Sequence, residues 1–206
     1  MTLEVTTWLT PLLAAVLSTG LALYLAPIVS NAALRYGIVD KPKPPLKLHV
    51  KPVPYLGGMV VFVAFLAALA VTFPFDQSVL AILLAASLVV SVGLIDDLGT
   101  LVPKDKLIGQ IVAAVVLVKA GVAVDIRAMP SPIDEIVSVL WLVTCMNAFN
   151  ILDVSDGLAT TAALVGAVGA TVIALLNGAP MVAAMAASLA GACLGFLRVN
   201  KMPARM

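Results

Sequence analysis

Long uncharged apolar stretches alternate along this chain with short polar segments rich in Lys, Asp, Pro and Gly. A helix that crosses a bilayer needs about 20 apolar residues, with a range of about 17–25. Val5–Leu34 is uncharged and holds one such span, near Trp8–Val29. Tyr55–Phe75 predicts a second span, Gln77–Ile95 a third, Leu107–Val124 a fourth and Ile136–Leu152 a fifth. Lys119 alone interrupts the fourth, and its long stem lets the ammonium reach the far interface. Gly157–Leu197 is uncharged throughout. As one helix it would run about 60 Å, twice a bilayer, so the turn signal Asn177-Gly178-Ala179-Pro180 divides it into spans six and seven. The pattern predicts an all-α, polytopic transmembrane helical bundle of about seven spans.

Composition agrees with that pattern and excludes a soluble domain. The 206 residues are 62% hydrophobic and 11% charged, against about 45–50% and 25% in soluble domains, and the mean hydropathy is +1.14. The net charge of +1 gives no reason to expect a nucleic-acid partner, but the placement of the charges is informative. Arg35, Lys41, Lys43, Lys47 and Lys51 follow span one; Lys104 and Lys106 follow span three; Arg198, Lys201 and Arg205 follow span seven. By parity these segments share one side of the membrane, and only Lys119 and Arg127 fall on the other. The excess of cations marks the cytoplasmic side. The N-terminus is then non-cytoplasmic and the C-terminus cytoplasmic. The same parity puts Asp96, Asp97, Asp153 and Asp156 at cytoplasmic ends of spans.

The N-terminus lacks a basic leader and a small-residue cleavage site, so the first span is read as retained. Cys145 and Cys193 lie in apolar runs without metal-ligand or redox spacing and read as buried thiols. No internal repeat or domain boundary is visible, and residues 1–206 read as a single integral-membrane domain.

Four polar constellations interrupt the apolar pattern. In Gly93-Leu94-Ile95-Asp96-Asp97-Leu98, two adjacent carboxylates raise each other's cost of ionisation, which a cation or a shared proton relieves. Carboxylate oxygens suit Mg²⁺; simple solvation of a helix end is the plainer alternative. Asn147, Asn150, Asp153 and Asp156 recur every three residues, so successive members touch on a helix. An Asp at the bilayer centre costs roughly 2.5–3.5 kcal/mol, so this group belongs at a surface or in a watery cavity. Ser155 or Asp156 as an N-cap of span six would explain one of these residues and leave both Asn unexplained. Gly157 permits a helix break or a close backbone approach. The segment Val39–Gly58 is basic, contains His49 and Lys51, and is stiffened by Pro44, Pro45, Pro52 and Pro54. Cations on a restrained loop can clamp phosphates, although an ordinary positive-inside loop would also carry the lysines. Pro103–Gln110 brings Lys104 and Lys106 within reach of a diphosphate near the Asp pair.

The motifs occur in the order His-x-Lys-Pro-x-Pro-x-x-Gly-Gly, Gly-Leu-Ile-Asp-Asp-Leu, Lys-Leu-x-Gly-Gln, Asn-Ala-Phe-Asn-x-x-Asp-x-x-Asp-Gly-Leu-Ala and Gly-Phe-Leu-Arg-x-Asn-x-x-Pro-Ala-Arg. From about Val39 to Met206 the chain resembles the polyprenyl-phosphate N-acetylhexosamine-1-phosphate transferases. Its first loop is closer to their N-acetylglucosamine branch than to the muramoyl-pentapeptide branch.

The resemblance implies transfer of a sugar-1-phosphate, most readily GlcNAc-1-phosphate, from a UDP-N-acetylhexosamine to a polyprenyl phosphate such as undecaprenyl phosphate. UMP is released and Mg²⁺ is the cofactor. It implies catalytic roles for Asp96 and Asp97. Substrate-binding roles follow for Lys51, His49, Lys106, Asn147, Asp153 and Asp156, with Asn150 and Asp153 at the metal. It also implies a multi-pass protein of the bacterial inner membrane, active on its cytoplasmic face in cell-wall or surface-glycan synthesis, and a possible homodimer. Two departures stand out. Val154 replaces the family's usual Gly, and the chain ends at Pro203-Ala204-Arg205-Met206, where relatives continue into a further metal-ligand motif and further spans. The chain is therefore expected to be the N-terminal portion of a longer transferase, inactive alone. The alternatives are a truncated inactive relative and a transporter. The second is disfavoured because transporter sites lie near the bilayer midplane.

Overall fold

The computed structural model describes residues 2–40, 53–72, 77–99, 101–124, 130 and 132–206. Among these, the helices are α1 (Thr2–Tyr36), α2 (Gly57–Thr72), α3 (Gln77–Asp97), α4 (Pro103–Lys119), α5 (Ile133–Leu152), α6 (Leu158–Leu176) and α7 (Pro180–Asn200). Each coincides with one predicted span. By length and composition α1, α3, α5, α6 and α7 can each cross a membrane, while α2 is a shorter apolar helix. The chain is an all-α, multi-pass membrane protein. A small departure is a two-stranded antiparallel ribbon of β1 (Val39–Asp40) and β2 (Val53–Pro54), which pairs Val39 with Pro54 and Asp40 with Val53. It ties together the two ends of the basic loop, and the Tyr55 hydroxyl donates to Asp40 Oδ1 at 3.0 Å.

Helix boundaries follow local chemistry. Pro103 occupies the first turn of α4, where its missing N–H costs nothing, so that helix starts earlier than the apolar pattern suggests. It stops at Lys119, earlier than expected, because the chain turns at Gly121 with φ +85°. The Asn177–Pro180 signal acts as predicted: Gly178 has φ +65°, and Pro180 opens α7.

The chain forms two compact units, Met1–Pro74 with Asp153–Met206, and Phe75–Leu152. In the first unit α7 packs against α1, α2 and α6. Its core gathers Ala22, Ala26, Val60, Ala64, Ala192 and Phe196. Small residues bring α7 close to α1. A Cβ on Gly195 would lie 2.6 Å from the Thr19 carbonyl oxygen and 2.8 Å from Ala22 Cβ, and one on Gly191 would collide with the Ala15 carbonyl and the Ser18 hydroxyl. Close approach lets polar side chains bond across helices, as expected where water is absent. Thr19 Oγ1 donates to the Gly191 carbonyl at 3.0 Å, and Ser188 Oγ donates to the Phe65 carbonyl at 3.0 Å.

The second unit consists of α3, α4 and α5, with α4 packed on both others. Gly109 sets the α3–α4 approach, since a Cβ there would lie 2.6 Å from Val92 Cγ2. At the end remote from the Asp pair, Lys119 meets Glu135 at 2.7 Å. There too Ser138, fully buried, accepts the Val124 N–H at 2.9 Å and donates to the Asp134 carbonyl.

Candidate active site

Asp96 and Asp97 close α3, and the helix ends there because Gly99 takes φ +72° and donates its N–H to the Asp96 carbonyl at 2.8 Å. A helix C-terminus carries the negative end of the backbone dipole, roughly half an electron charge. Two carboxylates at that point therefore call for a cation. Lys106, in the first turns of α4, supplies one: its Nζ lies 2.6 Å from Asp96 Oδ2. The same ammonium donates to Asn150 Oδ1, at the end of α5, at 3.2 Å. Three helices thus contribute one group each to a single contact.

One turn along, a second rung joins α4 to α5. Asn147 Nδ2 donates to Gln110 Oε1 at 3.0 Å and to the Val143 carbonyl at 2.8 Å. Lys106 pairs with Asn150 and Gln110 with Asn147, as antiparallel helices require: α4 advances four residues while α5 recedes three. Asp96, Lys106, Gln110 and Asn150 border an open cavity of about 380 Å³, whose wall also includes Asp97, Val89, Val92, Leu142, Cys145, Met146 and Phe149. Val89, Val92, Leu142, Cys145 and Met146 lie further from the helix ends than the polar groups, while Phe149 sits beside Asn150, so the cavity has a polar end and an apolar side.

Asp153 and Asp156 stand in the turn before α6, in the first unit. Asp153 is exposed by surface area, yet loss of water around its carboxyl still pushes its pKa up from the ordinary value. Asp156 Oδ2 accepts the Ala204 N–H at 2.9 Å, which fastens the C-terminal segment to this turn. Neither Ser155 nor Asp156 caps α6. Its N-cap is Gly157 at φ +71°, without a side-chain cap bond, so the capping explanation for the polar run does not hold. A side chain on Gly157 would press on the Asn200 carbonyl at 3.3 Å. His49 and Lys51 lie outside the described residues.

The structure therefore joins Asp96, Lys106 and Asn150 directly and sets Asn147 beside them through Gln110. Gln110 carries no role in the sequence reading; it is buried, and its place four residues after Lys106, on the same face of α4, is the only sequence signal for it. Among the described residues, no three His, Cys, Asp or Glu side chains form a metal-binding group. The oxygen donors of Asp96 and Asn150 nevertheless converge on one positive charge, and Mg²⁺ commonly takes only one or two carboxylates, with substrate phosphates completing its shell. The donor chemistry fits that ion.

A sequence model of glycosyl transferase family 4 matches residues 79–206. The chain belongs to glycosyl transferase family 4. Among its relatives is a Bacillus subtilis protein named "Probable undecaprenyl-phosphate N-acetylglucosaminyl 1-phosphate transferase". It is 29% identical over 193 residues, covering 89% of this chain and 54% of the relative. The decaprenyl-phosphate N-acetylglucosaminephosphotransferase of Mycolicibacterium smegmatis is 34% identical over 195 residues, covering 82% of this chain and 48% of the relative. The phospho-N-acetylmuramoyl-pentapeptide-transferase of Chlamydia trachomatis is 44% identical over 73 residues, covering 34% and 22%. This family member spans about half the length of the first two relatives. The family-matched region contains Asp96, Asp97, Lys106, Asn147, Asn150, Asp153 and Asp156.

Proposed function

We propose that this chain carries the phosphate-handling centre of a transferase that moves an N-acetylhexosamine-1-phosphate, GlcNAc-1-phosphate first among candidates, from a UDP-sugar to a polyprenyl phosphate. One observation carries the reading: the Asp96–Lys106–Asn150 contact borders a cavity whose wall, apart from Asp97 and Gln110 beside that contact, is mainly apolar. A phosphate on a long hydrocarbon chain has that same division. Its headgroup would meet Lys106 while its first isoprene units lie along Val92, Leu142, Met146 and Phe149. Two relatives carry names that specify both a polyprenyl phosphate and N-acetylglucosamine.

In this reading an oxygen of the lipid phosphate attacks the sugar-bearing phosphorus of the UDP-sugar. One P–O bond forms as the bond to UMP breaks. Phosphoryl transfer asks mainly for positioning and for charge stabilisation. Lys106 neutralises phosphate charge, and Asn150 orients the ammonium. The Asp97 or Asp96 carboxylate accepts any proton left on the lipid phosphate, so that its dianion attacks. Mg²⁺ would further neutralise the diphosphate; the motif assigns it Asn150 and Asp153. Asp153 and Asp156 belong to the nucleotide side by their motif, as do Lys51 and His49. The distribution of basic residues supports a non-cytoplasmic N-terminus, seven spans and a cytoplasmic site.

The test is UMP release from UDP-GlcNAc and undecaprenyl phosphate, using membranes that carry the full-length protein. Asp97→Asn and Asp156→Asn should each lower turnover by at least about a hundredfold, the scale of a lost electrostatic contact in a transition state. Normal turnover in both variants would remove these residues from the site.

A further inference from the structure

Side-chain amides are directional, and here their direction can be worked out. A backbone carbonyl only accepts hydrogen bonds. Because the Val143 carbonyl receives a bond from the Asn147 side chain at 2.8 Å, the atom facing it must be Nδ2. The second hydrogen of that NH₂ points to Gln110 at 3.0 Å, so the Gln110 atom that receives it must be the oxygen. The Gln110 NH₂ then faces away from Asn147. Among the described residues no buried side-chain nitrogen or oxygen lacks a partner, and Gln110 is 94% buried by area, with 6% exposed. Its Nε2 makes no bond among the described residues, so the residual exposure belongs there, and the open space that Gln110 borders is the cavity shared with Asp96, Asp97 and Lys106.

We propose that Gln110 is a substrate-binding residue whose two amide hydrogens are turned towards phosphate oxygens by the chain Val143 carbonyl, Asn147 amide, Gln110 carbonyl. The assignment of phosphate as ligand rests on the transferase reading above. Gln110 stands one helical turn from Lys106 on the same face of α4. An uncharged double donor there complements the ammonium: the lysine supplies charge and the amide supplies direction. The phosphate could belong to the lipid acceptor or to the nucleotide sugar, and the two have the same acceptor chemistry. Asn147 acts through Gln110 as a positioning residue, since its own donors are both consumed.

The decisive variants change direction rather than bulk. Gln110→Glu keeps an oxygen for Asn147 and the same shape, but offers the cavity an acceptor in place of a donor. Asn147→Asp removes the donor that holds the Gln110 oxygen, so the Gln110 amide rotates and its hydrogens leave the cavity. Asn147 is exposed, so this second variant tests the idea even if the first folds poorly. In the full-length protein, each variant should raise KM for one phosphate substrate by about tenfold or more, the scale of a lost bond to a charged group. A change confined to polyprenyl phosphate assigns Gln110 to the acceptor; one confined to the UDP-sugar assigns it to the donor. Adding Asn147→Asp to Gln110→Met should cost no more than Gln110→Met alone. Unchanged KM values in both direction-reversing variants, or fully multiplicative effects in the double variant, would overturn the proposal.

A second readout separates this idea from the transferase reading. Cys145 borders the same cavity and is half-buried, whereas Cys193 is buried. Inorganic pyrophosphate should slow maleimide labelling of Cys145, measured by mass spectrometry, and both variants should weaken that protection. If the wild-type protein shows no UMP release but this pattern holds, the function is wrong and the phosphate-binding amide stands. If pyrophosphate protects wild type and variants equally, or protects neither, the amide proposal falls.

Discussion

Replacing Lys106 by Met separates a folding role from a catalytic one. Met keeps most of the aliphatic stem and removes the ammonium that links Asp96 to Asn150. The side chains of Lys106 and Asp96 retain 21% and 29% exposure, so water screens the pair even without a substrate. Ion pairs of that kind contribute about 0–1 kcal/mol to stability. The loss also leaves two adjacent carboxylates at the negative end of α3, and an unfavourable dipole interaction there adds about 0.3–1 kcal/mol. The expected destabilisation is therefore about 2 kcal/mol at most, shared with a bond to Asn150 that is itself exposed. Turnover should respond differently. A charged contact that strengthens as phosphate charge develops contributes about 3–4 kcal/mol, or a hundredfold to a thousandfold in rate. The measurement pairs a thermal melt in detergent with UMP release at saturating UDP-sugar. A midpoint shift of only a few degrees together with a rate loss above a hundredfold is the expected result. A variant that melts far below the wild type, or that retains more than a third of its rate, would refute the division drawn here.

Gly99→Val should cost about 1–2 kcal/mol, because φ +72° is hostile to a β-branched residue. It should also lower UMP release by moving the end of α3 that holds the Asp pair. Gly195→Leu should lower the melting midpoint markedly, with a cost of about 1–3 kcal/mol or more, because its side chain would meet the Thr19 carbonyl and Ala22. Lys119→Met should change neither the melt nor turnover measurably, since the Lys119 side chain is 66% exposed and water screens the pair.

Much of the architecture was legible because the bilayer allows few solutions. Each apolar stretch became a helix, and Asn177–Pro180 divided the longest one. Boundaries were less legible where a single backbone feature overrode hydropathy: Pro103 opens α4 inside the polar segment and Gly121 ends it before the apolar residues run out. The two-residue ribbon at Val39–Asp40 and Val53–Pro54 has too little pattern to be seen in advance. In the site, Asp96, Lys106, Asn147 and Asn150 were each visible as polar interruptions. Which touches which was not, because Lys106 reaches ten residues back to Asp96 and 44 forward to Asn150, and no local rule encodes that choice. Gln110 was harder still: inside an amphipathic helix a Gln reads as surface, and only burial against α5 reveals its use. Gly157 hid another answer, since a polar run before a helix suggests side-chain capping while the chain used a left-handed glycine.

All the contacts that orient Asp96, Lys106, Gln110, Asn147 and Asn150 lie within Phe75–Leu152, one uninterrupted stretch of the polypeptide. That has a consequence for biosynthesis. Chains fold in order as they leave the ribosome, and short-range contacts form soonest. The ammonium and its two oxygen partners can meet before α6 and α7 have folded. A nascent chain that has released Leu152 from the ribosome would then insert these charges already neutralised by one another, which lowers the barrier to their entering the membrane in the first place.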